Sequence, residues 1–219
     1  MRLYLALLVS YSLIGVSIGW ARTEEGQKIM IAAPTRYAVE VGKDVARKGG
    51  NVVDVAVAVN LTLAVTSPYF GSLGGGGFAM ISSNGTINVL DFRETAPKAT
   101  NPEFYVGKDK NASTDGGTAV GVPGIPAGLW EMHKKYGKLH WSQLFYKPIQ
   151  FASDGFEISA EWFDMTKDNK TRFNEAGRKY FFKNQSVSYL PGDTLQQKAL
   201  GKALKELSER LTKSDEREI

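Results

Sequence analysis

Apolar positions along the chain fall into two repeating patterns, and each predicts a different element. After Pro34, residues Ala38, Val41, Val45 and Ala46 recur at helical spacing behind a capping Thr35, and Gly49-Gly50 closes the segment just after the basic pair Arg47-Lys48. Ile29–Ala33, immediately before Pro34, reads as a short buried strand. The run Val52–Val65 carries two signals. Its Val/Ala alternation suggests a strand, whereas the Asn51 cap, its length and the Ser67-Pro68 stop suggest a buried helix. A strand that long would be unusual, so a helix is expected.

Further on, Phe78–Ser82 and Thr86–Phe92 flank Ser83-Asn84-Gly85, the Asn-Gly signature of a hairpin. Residues 95–128 are rich in Gly, Pro, Asn and Thr and predict a long loop ending in Gly121-Val122-Pro123-Gly124-Ile125-Pro126-Ala127-Gly128. Leu129–Tyr136 predicts a short helix ended by Gly137. Trp141–Phe145 starts another, and Pro148 begins Ile149–Ser153, ended by Gly155. Leu200, Leu204, Leu207 and Leu211 form the apolar stripe of a last helix, which runs into the charged residues 213–218.

Composition narrows the chemistry. A net charge of +4 over 219 residues is mild, and the basic residues are scattered among acids without the stripe that nucleic-acid binding uses. The absence of cysteine excludes a disulfide framework, a thiolate nucleophile and a Cys-ligated metal. Residues 1–21 pair a minimal basic start with an apolar run and small residues Gly19 and Ala21. This is the pattern of a signal peptide, with an uncleaved anchor as the alternative, and it leads to the expectation of a secreted or periplasmic protein over residues 22–219.

The candidate chemistry gathers at one place. Gly74-Gly75-Gly76-Gly77 opens the hairpin, and its far end presents Asp91-Phe92-Arg93-Glu94. Consecutive glycines let backbone approach backbone or ligand. An arginine held between carboxylates is a preorganised fork for a carboxylate or phosphate. Gly74-x-Gly76-x-x-Ala79 fits a dinucleotide fingerprint formally, but it leads into a strand hairpin and not a helix. No P-loop, nucleophile-elbow Gly-x-Ser-x-Gly or metal-ligand spacing is present. His133 and His140 are the only histidines, and exposed or capping roles are expected for both.

Taken in order, Arg47-Lys48-Gly49-Gly50-Asn51-Val52-Val53-Asp54, Pro68 with Gly71–Phe78, Leu90–Pro97, Gly121–Gly124, Tyr136–Leu139, Pro148-Ile149 and Asp154–Phe156 resemble the γ-glutamyltranspeptidase family. The resemblance implies an α/β chain of the N-terminal-nucleophile hydrolase fold, a layered αββα sandwich, with only the N-terminal part of the large subunit represented. It also implies cleavage of γ-glutamyl amides such as glutathione, with transfer to water or to an amino acid or peptide.

In that family the nucleophile is the first threonine of a small subunit released by self-cleavage, within a Thr-Thr-His motif. Its own α-amine can serve as base. This chain has no Thr-Thr pair, so no catalytic residue is expected in it. The small subunit is an expected missing partner, and the chain alone is expected to be inactive. No cofactor, metal or nucleic acid is implied. Arg93 matches the family's substrate arginine, implied to grip the α-carboxylate of the glutamyl group. Asp91 and Glu94 are expected, on physical grounds, to orient its guanidinium. The sequence departs from the family around Pro68, where Ser67 and Tyr69-Phe70 replace an acid and a histidine. The alternative reading is a catalytically inactive fragment, or a protein that binds γ-glutamyl ligands without turnover.

Overall fold

The computed structural model describes residues 25–26 and 28–212. Contacts divide the chain between Met30 and Ile31, and the larger unit begins at Ile31. The expected leader or anchor over residues 1–21 lies outside the described residues.

Two adjacent helices make the centre of this unit. Helix α1 (Arg36–Arg47) begins where the Thr35 hydroxyl accepts from the Ala38 N–H at 3.3 Å. It is stopped by Gly49, whose φ of 88° is a left-handed conformation that suits glycine. Helix α2 (Val52–Thr66) occupies the ambiguous Val/Ala run. It is apolar on nearly every side because it is buried on nearly every side, against α1 and the helices that follow. Gly42 allows the close crossing of the two, since a Cβ there would lie 3.1–3.2 Å from Val59 and Val55. The two buried threonines of α2 satisfy themselves along the helix, Thr62 donating to Ala58 O at 2.7 Å and Thr66 to Thr62 O at 3.0 Å.

Strands β1 (Phe78–Ser83) and β2 (Thr86–Asp91) form the expected antiparallel hairpin, in register from Phe78 opposite Asp91 to Ser83 opposite Thr86. Asn84 and Gly85, at φ 50° and 76°, make its type I′ turn. Helix α3 (Ile125–Tyr136) starts four residues before the expected Leu129, because Pro126 sits in its first turn, where no N–H is needed.

A 3-10 turn at Trp141–Leu144 leads to α4 (Tyr146–Asp154), then β3 (Phe156–Glu157), α5 (Ala160–Lys167), α6 (Glu175–Phe181), β4 (Phe182–Lys183), β5 (Val187–Ser188), β6 (Thr194–Leu195) and α7 (Lys198–Thr212). β3 pairs with β6 and β4 with β5, both antiparallel. Trp141, Phe145, Trp162 and Phe182 are fully buried, and α7 packs along α4. Gln197, just before α7, donates its side-chain N–H to Val65 O at 2.7 Å and so satisfies a carbonyl in the last turn of α2.

Two expectations are corrected. Ile29–Ala33 is not a strand: no described strand pairs with it, and it is not buried, Met30 and Ala32 being exposed. A short apolar run forms a strand only where a neighbour supplies the ladder. His133 is not exposed but fully buried, against Trp130 and Trp141. Its Nε2 lies 2.8 Å from Leu139 O, so that nitrogen carries the proton, and 3.6 Å from Asp54 Oδ1.

Asp54 is the knot at this end of the molecule. Its carboxylate accepts from Asn51 N at 2.9 Å, Lys138 N at 3.0 Å and Leu139 N at 3.2 Å, while Asn51 donates to Tyr136 O at 2.7 Å. The start of α2 is thereby tied to the chain leaving α3, and a buried carboxylate is offset by converging N–H donors.

Candidate functional site

Arg93 stands just beyond β2, and three backbone segments fix its position. The ladder continues one pair past the hairpin, with Gly77 N donating to Phe92 O at 3.2 Å and Phe92 N to Gly77 O at 3.0 Å. On the other side Thr95 and Val122 exchange both backbone hydrogen bonds, at 3.3 and 2.8 Å. The first N–H groups of α3 complete the weave, Gly124 N and Ile125 N both donating to Gly75 O at 2.9 and 3.0 Å. Residues 92–95 therefore run as the middle of three strands of chain.

The glycines are what this weave requires. A Cβ on Gly76 would lie 2.7 Å from both Phe92 O and Glu94 Oε2. One on Gly121 would lie 2.9 Å from Glu94 Cβ, and those on Gly124 and Gly128 would collide with the Phe92 carbonyl and ring. The glycine run thus packs backbone on backbone around the arginine segment. The second cluster, Gly121, Gly124 and Gly128, serves the same segment from the far side.

The local electrostatics differ in part from expectation. Asp91 does not orient the guanidinium; its Oδ1 accepts from the Arg93 backbone N–H at 2.9 Å, turning the chain as it leaves the strand. Glu94 does face the guanidinium, with Oε2 3.3 Å from Arg93 Nε. No other pairing of the Arg93 side chain occurs among the described residues, which leaves both terminal nitrogens without a protein partner there on a side chain 69% exposed. Such an arginine offers a bidentate fork, with its third edge already engaged. It lines a groove of about 550 Å³ together with residues 94–97, 99–100 and 117–121 and with Phe104 and Tyr105.

The departure before the glycines has its own structure. Ser67 is fully buried and its carbonyl accepts from Phe70 N at 2.9 Å. Tyr69 stacks edge-on with Phe70 and with Trp162 at centroid distances of 4.8 and 5.7 Å. Burial pushes the Tyr69 hydroxyl pKa up, the Ser67 side chain opposes this, and Glu161 adds to it. An aromatic joint thus stands just before the glycine run. No cluster of three metal-ligating side chains occurs among the described residues, and none of their helices is long and apolar enough to cross a membrane.

Known proteins give this arrangement a context. The family model for gamma-glutamyltranspeptidase matches residues 38–214. The chain belongs to the γ-glutamyltranspeptidase family. Among its curated relatives, the glutathione hydrolase proenzyme of Pseudomonas aeruginosa is 42% identical over 163 residues, which is 72% of this chain and 29% of that protein. The proenzyme of Pseudomonas sp. strain A14 is 37% identical over 214 residues, 93% of this chain and 37% of that protein. The solved γ-glutamyltranspeptidase of Helicobacter pylori is 37% identical and superposes with a TM-score of 0.83, over 86% of this chain and 56% of that one.

A cephalosporin acylase from Bacillus halodurans, 20% identical with a TM-score of 0.71, shares the fold alone. The fold class expected from the sequence is therefore the one found, α/β of the N-terminal-nucleophile hydrolase kind. The chain spans about a third of the length of these curated relatives, at 29% and 37%.

Proposed function

We propose that this chain is the substrate-recognising part of a secreted or periplasmic γ-glutamyltranspeptidase, and that Arg93 binds the α-carboxylate of the γ-glutamyl group of glutathione or a related amide. The observation that carries this reading is the exposed Arg93 side chain, its segment woven between two glycine clusters and its Nε braced by Glu94 in a chain of this family. A carboxylate on both terminal nitrogens would leave the Nε–Glu94 pair intact, so binding needs no rearrangement of the site.

The reaction proposed for the whole protein uses a threonine that begins a separate small subunit. Its hydroxyl attacks the γ-carbonyl while the α-amine takes the proton. The tetrahedral intermediate collapses as the departing amine gains that proton, leaving a γ-glutamyl ester. Water then releases glutamate, or an amino acid or peptide amine takes the glutamyl group. The role of Arg93 is positional: holding the far end of the glutamyl group fixes the distance from the carbonyl to the nucleophile.

The test is cysteinylglycine release from glutathione by the protein purified from its natural source, with its intact masses measured alongside. Turnover by two chains, the smaller beginning with threonine, is expected. Arg93→Lys keeps the charge but loses the fork. It should lower kcat/KM about tenfold, near the lower end for a hydrogen bond to a charged group because the site is exposed. A single chain that binds glutathione without releasing product would instead support the non-catalytic alternative.

A further inference from the structure

At one corner of the molecule α1 ends, α2 begins and the chain leaves α3. Residues 44–54 and 131–150, which meet there, hold six basic and three acidic side chains in a chain whose formal charge is +4. Asp54 is buried among its N–H donors, and Asp44 pairs with Arg47 at 2.7 Å, so Glu131 is the one exposed acid left. Packing gathers the bases. Lys138 Nζ lies 4.0 Å from where a Cβ on Gly49 would stand. The Lys48 and Lys147 ammoniums each lie 5.8 Å from the centroid of the Tyr146 ring, which is 62% exposed. Among the described residues none of Lys48, Lys134, Lys135, Lys138 and Lys147 pairs with a carboxylate.

Helix stability accounts for part of this charge and not for the rest. Arg47, Lys134 and Lys135 stand in the last turns of α1 and α3, where cations answer the negative helix ends. Lys147 stands in the first turn of α4, the end that favours an acid, and no acid is present there. Lys138 binds Asp54 through its backbone N–H, which leaves its ammonium uncommitted. The type of side chain points to the partner. Five of the six bases are lysine, and the arginine is engaged by Asp44. Protein–protein interfaces favour arginine and are poor in lysine, whereas ammoniums on flexible stems suit a fluid array of lipid phosphates. An exposed tyrosine among lysines is the side chain of a membrane–water interface. The apolar stretch over residues 1–21, whether leader or anchor, brings the chain to a membrane.

We infer that this corner is a docking surface for an anionic lipid bilayer, with Lys48, Lys138 and Lys147 reaching headgroup phosphates and Tyr146 seated at headgroup level. It is independent of the reading of Arg93. Each ammonium that reaches the surface strengthens binding about fivefold at low salt. Added salt screens that gain.

The experiment is cosedimentation of the protein from its natural source, and of variants expressed there, with two kinds of vesicle. One is phosphatidylcholine alone and the other contains about a third of phosphatidylglycerol. At low salt the anionic vesicles should bind about tenfold or more tightly than the neutral ones, and about 0.5 M salt should remove that preference. Lys48→Gln, Lys138→Gln and Lys147→Gln should each weaken anionic binding about fivefold. Tyr146→Ala should weaken it severalfold without changing its salt dependence. Lys167→Gln makes the same change of charge on α5, which packs through Trp162 against Tyr69 past the other end of α2, and should leave binding unchanged. Equal affinity for the two vesicles overturns the proposal, and so does an anionic preference that survives all three Lys→Gln changes together. Heparin binding that Lys48→Gln weakens, without any preference between vesicles, would assign the corner to an anionic macromolecule and also overturn it.

Discussion

Replacing Gly76 by alanine tests whether the glycine run exists to hold the arginine segment. The new methyl would lie 2.7 Å from Phe92 O and from Glu94 Oε2, and nearest of all to the Glu94 backbone nitrogen. The Glu94 carboxylate could swing away, but the Phe92 and Glu94 backbone groups belong to the weave and can move only by stretching it. Overpacking against such a wall costs about 1–3 kcal/mol. Alanine also restricts the unfolded chain, which offsets about 0.4–1 kcal/mol because Gly76 is not in the left-handed region. The net loss is about 1–2 kcal/mol, or about 2–8 °C in Tm for a chain of this size.

Stability alone would not show that Arg93 is what the glycine positions. Gly85→Ala supplies the comparison: Gly85 has φ 76° and nothing within 4 Å, so alanine there is strained but touches nothing, at the opposite end of the hairpin. It should cost about 1 kcal/mol and leave ligand binding alone. Thermal melts and isothermal titration with γ-glutamyl ligand on both variants separate the effects. Gly76→Ala should lose stability and about tenfold in affinity. Gly76→Ala with wild-type affinity, or Gly85→Ala with an equal loss of affinity, would refute the positioning argument.

Two further predictions concern the frame. Asp54→Asn replaces a fully buried acceptor of N–H bonds from Asn51, Lys138 and Leu139 with a group that must turn an NH₂ toward some of those donors. It should destabilise the chain by about 3 kcal/mol, read from urea unfolding; a loss under about 1 kcal/mol would mean the knot is not structural. The Asp193 carboxyl is held below the usual aspartate range by the Lys183 side chain first and the Leu190 N–H second. Its folded pKa is depressed, so its contribution to stability is present above the unfolded pKa and is lost as pH falls through the lowered one. Lys183→Met should move the Asp193 midpoint, followed by NMR, back up; an unmoved midpoint would exclude Lys183 as the cause.

Much of this was legible in the sequence because the signals were local. Thr35 and Asn51 marked helix starts, Asn84-Gly85 marked the hairpin turn, and the ordered motifs carried the family. The elements between Ser159 and Leu195 are not legible in the sequence, since α5 and α6 have eight and seven residues and the strands two each, too short for a clear period to show. The burial of His133 was also not legible. It depends on Asp54 and Leu139, brought together only when α2 meets the chain leaving α3.

At the site, the sequence showed Arg93 between two acids but not their division of labour. Asp91 and Glu94 differ only in where their carboxylates reach, Asp91 folding back on the backbone and Glu94 reaching the guanidinium. In the sequence the glycines imply only space for backbone or ligand. That the space belongs to Phe92 and Glu94 depends on Gly121, Gly124 and Gly128 closing in from about 30 residues away.

The central claim is that Arg93 reads the α-carboxylate of a γ-glutamyl group, and the direct measurement is a thermodynamic cycle. Affinities of a γ-glutamyl dipeptide and of its α-methyl ester are measured on the wild-type chain and on Arg93→Met. The account predicts that esterification weakens wild-type binding about tenfold and leaves the variant indifferent, because the group that distinguished acid from ester is gone. An ester penalty of the same size in Arg93→Met would show that another residue reads the carboxylate, and the account of this site would be wrong.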